Sequence, residues 1–226
     1  MSPRSPKASV STDVARIAPP PPARKPGPVF VTLSQGATIV RIFDPDRRGA
    51  NALTFRHNGP RKRFDHHRGE GSERIPADDP DRAVYYAAWS RKPAEAFSSA
   101  LVEVFGDTGI VELANRVVAM PCATRSLHLL DLRGRGAMRA GTIAAVAKCP
   151  YQHSQPWSRY FYDTSTTYST LDGVLYRNAH NDEPALMLYE RAMDGLQCDR
   201  EAVIRLDHSS LRPLLLEMMR ANNLTF

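Results

Sequence analysis

Short, mainly apolar runs of four to seven residues recur along the chain, and they constrain its fold more than any other feature. Each run is rich in Val, Ile, Leu, Tyr or Phe and is bounded by polar residues, glycine or proline, a pattern that predicts β-strands. A further apolar stretch from 110 to 120 also predicts a strand. The runs are Val29–Leu33, Ala37–Phe43, Ala83–Trp89, Leu127–Leu132, Gly173–Tyr176 and Ala185–Tyr189.

Fewer segments have helical signals. Pro93 stands at a position typical of the first helical residue, and Gly106 marks the end of that helix after Phe105. A short helix is expected over about 138–147, and a helix or turn from Trp157 to Tyr162. Close to the C-terminus, apolar residues spaced i, i+3, i+4, i+7 and i+8 predict an amphipathic helix. They are Leu211, Leu214, Leu215, Met218 and Met219. Because strands outnumber helices and do not alternate with them regularly, an α+β fold is favoured over a doubly wound sheet.

Residues 1–28 differ in composition from the rest of the chain. They hold eight of its 18 prolines and few apolar side chains, so they are expected to form a disordered arm that cannot offset its ordering entropy. The remainder, 29–226, is then one domain that ends in the amphipathic helix. Five basic residues and one aspartate give the arm a net charge of +4, which leaves +2 of the total +6 for the domain. The charge therefore argues only weakly for a nucleic-acid partner.

Several classes of protein are disfavoured. No run of about 18 apolar residues is present, so no membrane-spanning helix is expected, and the N-terminal residues lack the apolar core of a secretory signal. Cys122, Cys149 and Cys198 are odd in number and far apart, which indicates neither a disulfide framework nor a metal site. A reducing cytoplasm is the expected location.

The loop from 44 to 80 contains the basic cluster Arg56–Arg68. Three interpretations remain open: a nucleic-acid contact, a clamp for a pyrophosphate, or a solvated loop. The pair His66-His67 lacks further ligands at a recognised spacing, so a metal site is not expected.

Two glutamates lie in the first predicted helix. Glu95 and Glu103 both fall on the side opposite its apolar stripe of Ala94, Phe97, Leu101, Val104 and Phe105. Periodicity does not decide whether that side faces solvent or a cleft.

The order of these segments resembles the RES domain family, which is named for arginine, glutamate and serine positions. The resemblance covers about residues 36–193. The resemblance places Glu103, and not Glu95, at the family's glutamate position. It places Tyr85, and not Tyr86, at the tyrosine position. The similar segments are Gly36–Arg41, Arg63–Asp65, Val84–Ala88, Ala100–Gly106, Gln155–Arg159 and Asp172–Asn178. One departure stands out, because Asn178 occupies the position of the family's serine and offers an amide in place of a hydroxyl.

The resemblance implies a mixed sheet flanked by helices, similar to that of ADP-ribosyltransferase toxins. It also implies a bacterial toxin that consumes NAD⁺ by hydrolysis, phosphorolysis or transfer of ADP-ribose, without a metal. The expected partner is a helix-turn-helix antitoxin of the Xre type, in a homo- or hetero-oligomeric assembly, with no direct contact to nucleic acid.

The resemblance also suggests roles for five residues. Glu103 would stabilise the positive charge that develops on the ribose, and Arg41 and Arg63 would bind the pyrophosphate. Tyr85 would stack on the nicotinamide, and Asn178 would orient the ribose or the carboxamide. The rival interpretation is a non-catalytic module of the same fold that binds a nucleotide or a protein, with Asn178 as the sign of a degenerate site.

Overall fold

The computed structural model describes residues 16–168 and 171–226, so the first 15 residues of the predicted arm lie outside the described part of the chain. The described strands are β1 (Phe30–Leu33), β2 (Arg41–Phe43), β3 (Asn58–Gly59), β4 (Ala77–Asp78), β5 (Val84–Ala88), β6 (Val117–Ala119), β7 (Cys122–Ala123), β8 (Leu127–Asp131), β9 (Gly173–Arg177), β10 (Pro184–Tyr189), β11 (Leu196–Gln197) and β12 (Val203–Arg205). The α-helices are α1 (Pro93–Phe105), α2 (Arg135–Arg139), α3 (Tyr151–Asp163), α4 (Ser165–Tyr168) and α5 (Arg212–Ala221).

The main sheet has five strands in the order β1-β8-β9-β10-β5. Adjacent strands in this sheet are antiparallel, except that β8 and β9 are parallel, so the sheet is mixed. A second sheet of three antiparallel strands has the order β12-β6-β2. Val40 and Ala88 join the two sheets at the start of β2 and the end of β5, with N···O distances of 2.9 and 2.8 Å. The α+β prediction is confirmed.

Strands β9 and β10 of the main sheet are buried on both faces, which explains why they are almost continuously apolar. On β10, Met187 and Tyr189 pack into a cluster with Trp157 and Phe161 of α3. The alternate residues Leu186 and Leu188 pack into a cluster on the opposite face. A third cluster joins α1 and α5 to the small sheet.

Three predicted elements differ from the structure because the backbone changes partner or turns. Within 37–43, Thr38 pairs with Cys122 and Val40 with Ala88, so only Arg41–Phe43 forms a strand. The stretch 110–120 is interrupted at Asn115, where φ is +55°, a left-handed conformation that breaks strand geometry. The helix expected over 138–147 divides at Gly141, where φ is +90°, into α2 and a short 3₁₀ turn.

Residues 16–28 lie against the domain. Ile17 packs on the cluster around α3, and the Trp157 indole Nε1 donates to the Ala18 carbonyl oxygen over 2.9 Å. Further along, Gly27 N donates to the Arg139 carbonyl, and Arg139 Nε donates to the Gly27 carbonyl over 2.7 Å. This part of the predicted arm therefore makes specific contacts, and the domain boundary at residue 28 stays a prediction.

Within residues 16–168 and 171–226, every helix is too short or too polar to span a lipid bilayer.

Candidate functional site

A cavity of ≈ 280 Å³ lies at the seam between the two sheets, and residues of both β2 and β5 line it. Helix α1 forms one wall, and the loop before β5 forms the wall facing it. The lining side chains with polar or charged groups are Arg41, Arg56, Lys62, Arg63, Tyr86, Glu103, Asp107, Tyr151, Tyr176 and His180. Its volume is close to the lower end of the range of about 300–1,000 Å³ typical of small-molecule sites.

The charges of the lining favour an anionic ligand. Four basic side chains face two acidic ones, and the two acidic ones both lie at the C-terminal end of α1. Oppositely charged walls of this kind suit a molecule that carries phosphates at one end and a cationic or electron-poor group at the other. Three residues of the basic cluster, Arg56, Lys62 and Arg63, line this cavity.

Glu103 lines the cavity from the last turns of α1. Its side chain is accessible to water, yet it lies in a concave site with protein on most sides, and this burial raises the pKa of its carboxyl above the ordinary value. The guanidinium of Arg63 and the ammonium of Lys62 act in the opposite direction. The side of α1 opposite its apolar stripe therefore faces a cleft at this residue.

Glu95 is placed differently. It accepts a hydrogen bond from the Ser90 hydroxyl at the start of α1 and does not line the cavity. The structure thus separates the two glutamates that periodicity could not distinguish.

Two contacts position Arg41 on the cavity wall. Its NH1 donates to the Thr54 carbonyl oxygen over 2.7 Å, and its guanidinium carbon lies 4.5 Å from the centroid of the Tyr85 ring. In the described part of the chain this is the one side-chain hydrogen bond that Arg41 donates, so most of its donor fork is available to a ligand.

Tyr85 does not line the cavity, contrary to the role predicted for it. Its ring is 1% exposed in the core beneath Arg41, and its hydroxyl donates to the Ala52 carbonyl over 2.7 Å. Successive residues of a strand face opposite sides, so the next residue, Tyr86, reaches the cavity instead. Tyr85 contributes indirectly, as the surface on which the Arg41 guanidinium stacks.

In the Arg63-Phe64-Asp65 segment, one side chain lies in the cavity and two are buried. Arg63 lines the cavity, where its guanidinium carbon lies 5.3 Å from the Tyr151 ring centroid and its NH1 donates to the Cys149 carbonyl. Phe64 and Asp65 are both fully buried.

Helix α3 supports this loop from behind. Gln155 Nε2 donates to the Lys62 carbonyl over 3.0 Å, and Ser158 Oγ donates to the Phe64 carbonyl over 2.6 Å. The segment Gln155–Arg159 of the family resemblance therefore supports the basic wall, through Gln155 and Ser158.

Asn178 is fully buried and does not line the cavity, so it cannot orient a ligand there directly. Its Oδ1 accepts from the backbone N–H groups of His180 and Asn181, each over 2.9 Å. Its Nδ2 donates to Ser99 Oγ over 3.1 Å and to Asn181 Oδ1 over 2.7 Å. The amide thus uses three of its hydrogen bonds to fix a turn whose residues Ala179 and His180 line the cavity, and the fourth to bind helix α1.

Sequence reasoning missed several lining residues. Tyr86 differs from the predicted Tyr85 by one position, and only the face of the strand distinguishes them. Arg56 and Lys62 belong to the basic cluster that was recognised as a unit. Tyr176, in the segment similar to the family's last motif, is buried beside the site, and burial followed by the charge of Glu103 raises the pKa of its hydroxyl.

The pair His66-His67 lies behind the cavity wall, fully buried. His66 Nε2 lies 3.1 Å from Glu190 Oε2, and His67 Nε2 lies 3.1 Å from the Arg56 carbonyl. Burial lowers the pKa of both imidazoles, that of His67 to about 4. In the residues that the structure describes, no group of three or more His, Cys, Asp or Glu side chains is arranged to hold a metal ion.

Fold and site together define a class of protein: a mixed α+β domain with a basic, small-molecule-sized cavity between two sheets. The RES domain family model matches residues 38–210, which is most of the chain. The chain belongs to the RES domain family.

A solved structure supports the same fold. The chain is similar to a protein in the crystal structure of the M. tuberculosis MbcT-MbcA toxin–antitoxin complex, with a TM-score of 0.51 and 15% sequence identity. The likeness covers 84% of this chain and 92% of the other. At this identity it concerns the fold alone. No curated protein matches the sequence.

Proposed function

We propose that this chain is a RES-type toxin that consumes NAD⁺ by cleaving its nicotinamide–ribose bond. The observation that carries the proposal is the convergence of Arg41, Arg63 and Glu103, which are 62 residues apart at most, on one cavity. Two guanidinium groups suit the pyrophosphate of a dinucleotide, because a planar fork can donate to two oxygens of one phosphate. A carboxylate on the facing wall suits the cationic part of the same molecule.

In the proposed reaction the bond between the ribose C1′ and the nicotinamide nitrogen breaks, and nicotinamide leaves as a neutral molecule with the electron pair. The sugar passes through an oxocarbenium-like state whose positive charge the Glu103 carboxylate stabilises. An acceptor oxygen then forms a bond to C1′ and loses its proton. Water, phosphate and a protein side chain are all acceptors compatible with this chemistry.

The stacking role passes from Tyr85 to Tyr86, whose ring lines the same cavity. Asn178 acts from behind, by fixing the turn that presents Ala179 and His180. The proposed reaction requires no metal.

A test of the proposal measures nicotinamide release from NAD⁺ by the purified chain, with Glu103→Gln as the comparison. Turnover in the parent and its loss in Glu103→Gln support the enzyme. Binding of NAD⁺ without turnover supports the rival, a non-catalytic module of the same fold. Absence of both binding and turnover rejects NAD⁺ as the ligand.

We propose an antitoxin as the protein partner, with a helix-turn-helix region as the resemblance implies. The similar chain of known structure was crystallised in a toxin–antitoxin complex, which is the reason to look for such a partner here. Growth arrest on expression of this chain, relieved by co-expression of a helix-turn-helix protein encoded beside it, is the expected result. Expression without an effect on growth would argue against the toxin.

A further inference from the structure

Asp65 is a fully buried carboxylate within a loop of mostly polar residues. A buried charge is costly unless hydrogen bonds and an opposite charge compensate it, so its partners show what it holds in place. Asp65 belongs to the Arg63-Phe64-Asp65 segment, but it does not line the cavity itself.

The partners of Asp65 come from three segments of the cavity wall. Its Oδ1 accepts from Arg56 NH2 over 2.7 Å and from the Tyr86 hydroxyl over 2.9 Å. Its Oδ2 accepts from Arg56 NH2 over 2.8 Å, from Lys62 N over 2.9 Å and from Arg61 N. Arg56, Lys62 and Tyr86 all line the cavity, and one carboxylate therefore joins its β5 wall to its basic loop.

We infer that Asp65 is a positioning residue that gives the cavity its ligand-binding form. It neutralises Arg56, so the cations left free for an anionic ligand are Arg41, Lys62 and Arg63. It also binds the backbone of the loop at 61–62, which directs the Lys62 and Arg63 side chains into the cavity.

The same carboxylate determines what Tyr86 offers to a ligand. The Tyr86 hydroxyl donates to Asp65 and accepts from Phe64 N over 2.9 Å, so both of its hydrogen-bonding functions are used. Burial, and then the negative charge of Asp65, raise the pKa of this phenol well above its ordinary value. Tyr86 therefore presents an aromatic ring to the cavity and does not act as an acid or base.

The chain contains a matched control in Asp79, which is 5% exposed and lies in the same loop. Asp79 accepts from Arg68 N over 3.1 Å, from Arg68 NH1 over 3.2 Å and from Asp81 N over 3.3 Å. Neither of these partners lines the cavity. Asp65→Asn and Asp79→Asn thus remove the same charge from similar buried sites, with and without contact to the cavity wall.

The inference rests on the proposed function only for the identity of the ligand, NAD⁺. Calorimetric titration should show that Asp65→Asn weakens NAD⁺ binding by about tenfold or more, whereas Asp79→Asn changes it by less than about twofold. Equal weakening by the two substitutions, or none by Asp65→Asn, would overturn the positioning role.

Hydrogen exchange tests the same inference without reference to NAD⁺. The amides of Arg61, Lys62 and Phe64 should lose protection in Asp65→Asn and keep it in Asp79→Asn. A parent chain that does not bind NAD⁺ would reject the proposed function, and the exchange data would still decide the role of Asp65. Unchanged protection of these amides in Asp65→Asn would reject that role.

A milder variant guards against a failure of Asp65→Asn to fold. Tyr86→Phe keeps the ring and removes only the hydroxyl that Asp65 and Phe64 N bind. It should weaken NAD⁺ binding by about threefold, the equivalent of one neutral hydrogen bond, and expose the Phe64 amide to exchange. No change in either measurement would contradict the inference.

Discussion

The Nδ2 atom of Asn178 donates a hydrogen bond to the Oγ atom of Ser99 over 3.1 Å, and both residues are completely buried. Ser99 lies on α1 one turn before Glu103, and Asn178 also holds the turn that places Ala179 and His180 in the cavity. Asn178, in the family's serine position, therefore connects two walls of the cavity but does not line it.

Asn178→Ser should reduce stability more than it reduces turnover. A single hydroxyl cannot replace both the donors and the acceptor of the amide, so the free energy of unfolding should fall by about 1–3 kcal/mol. Turnover of NAD⁺ should stay within about tenfold of the parent at equal folded concentration. Asn178→Ala should lower both quantities further. Urea unfolding and nicotinamide release measure the two effects. An inactive parent that Asn178→Ser restores to activity would favour the non-catalytic rival.

Glu103→Gln should lower NAD⁺ cleavage by at least about a hundredfold, because the neutral amide cannot stabilise positive charge on the ribose. Glu95→Gln is the control from the same helix, since Glu95 binds Ser90 outside the cavity, and its rate should match the parent. Initial rates of nicotinamide release provide the comparison. A larger loss in Glu95→Gln would show that the roles of the two residues are reversed.

The loss of enzymatic activity at low pH should follow the pKa of the Glu103 carboxyl. Burial raises the pKa of this carboxyl above its ordinary 4.5, so it takes up a proton at a higher pH than a free glutamate. Activity that needs the carboxylate is complete above the raised pKa and is lost as the pH falls through it. In profiles of kcat/KM, Lys62→Gln should move this loss to higher pH and Asp107→Asn to lower pH. Shifts in the same direction would contradict the assignment to Glu103.

Arg41→Lys should weaken NAD⁺ binding although it keeps the charge. An ammonium cannot bind the Thr54 carbonyl, stack on Tyr85 and donate to two phosphate oxygens in the way a planar guanidinium can. The expected loss is about tenfold in Kd, the equivalent of one hydrogen bond to a charged group. Arg47→Lys, on the exposed loop after β2, should leave Kd unchanged. An unaltered Kd in Arg41→Lys would exclude a pyrophosphate role.

Removal of residues 1–28 should leave the fold intact but lower its stability. In the part of the chain that the structure describes, the four core clusters are built from residues after 28, apart from the edge contact of Ile17. The truncated chain lacks that contact and the Trp157–Ala18 hydrogen bond, so a loss of about 1–3 kcal/mol is expected. Ile17→Ser in the full chain should reproduce part of the loss in urea unfolding. A truncated chain without a cooperative transition would show that the arm is essential to the fold.

Local sequence patterns were sufficient for the first and last helices, for the long strands of the main sheet and for one side of the site. The extent of α1 from Pro93 to Phe105 follows from the proline, the glycine and the apolar stripe between them. That stripe also placed Glu103 on the side of the helix away from the core. The strands β5, β8, β9 and β10 were visible as apolar runs, most clearly β9 and β10, because a strand buried on both faces needs apolar residues at successive positions.

Tertiary structure alone decided which side chains meet. Tyr85 and Tyr86 are the same residue type on the same strand. Which of them lines the cavity depends on which face of β5 lies beside it. Asp65 and His67 are buried in a loop that looks solvated, because the loop folds back on itself, where Arg56 contacts both residues, and because Tyr86, 21 residues along the chain from Asp65, donates to that carboxylate. The periodicity of a helix or strand shows which of its faces a residue lies on, but not what packs against that face. The position of Asn178 behind the site, with its amide saturated by Ser99 and the 178–181 turn, arises from packing between elements, which no local pattern contains.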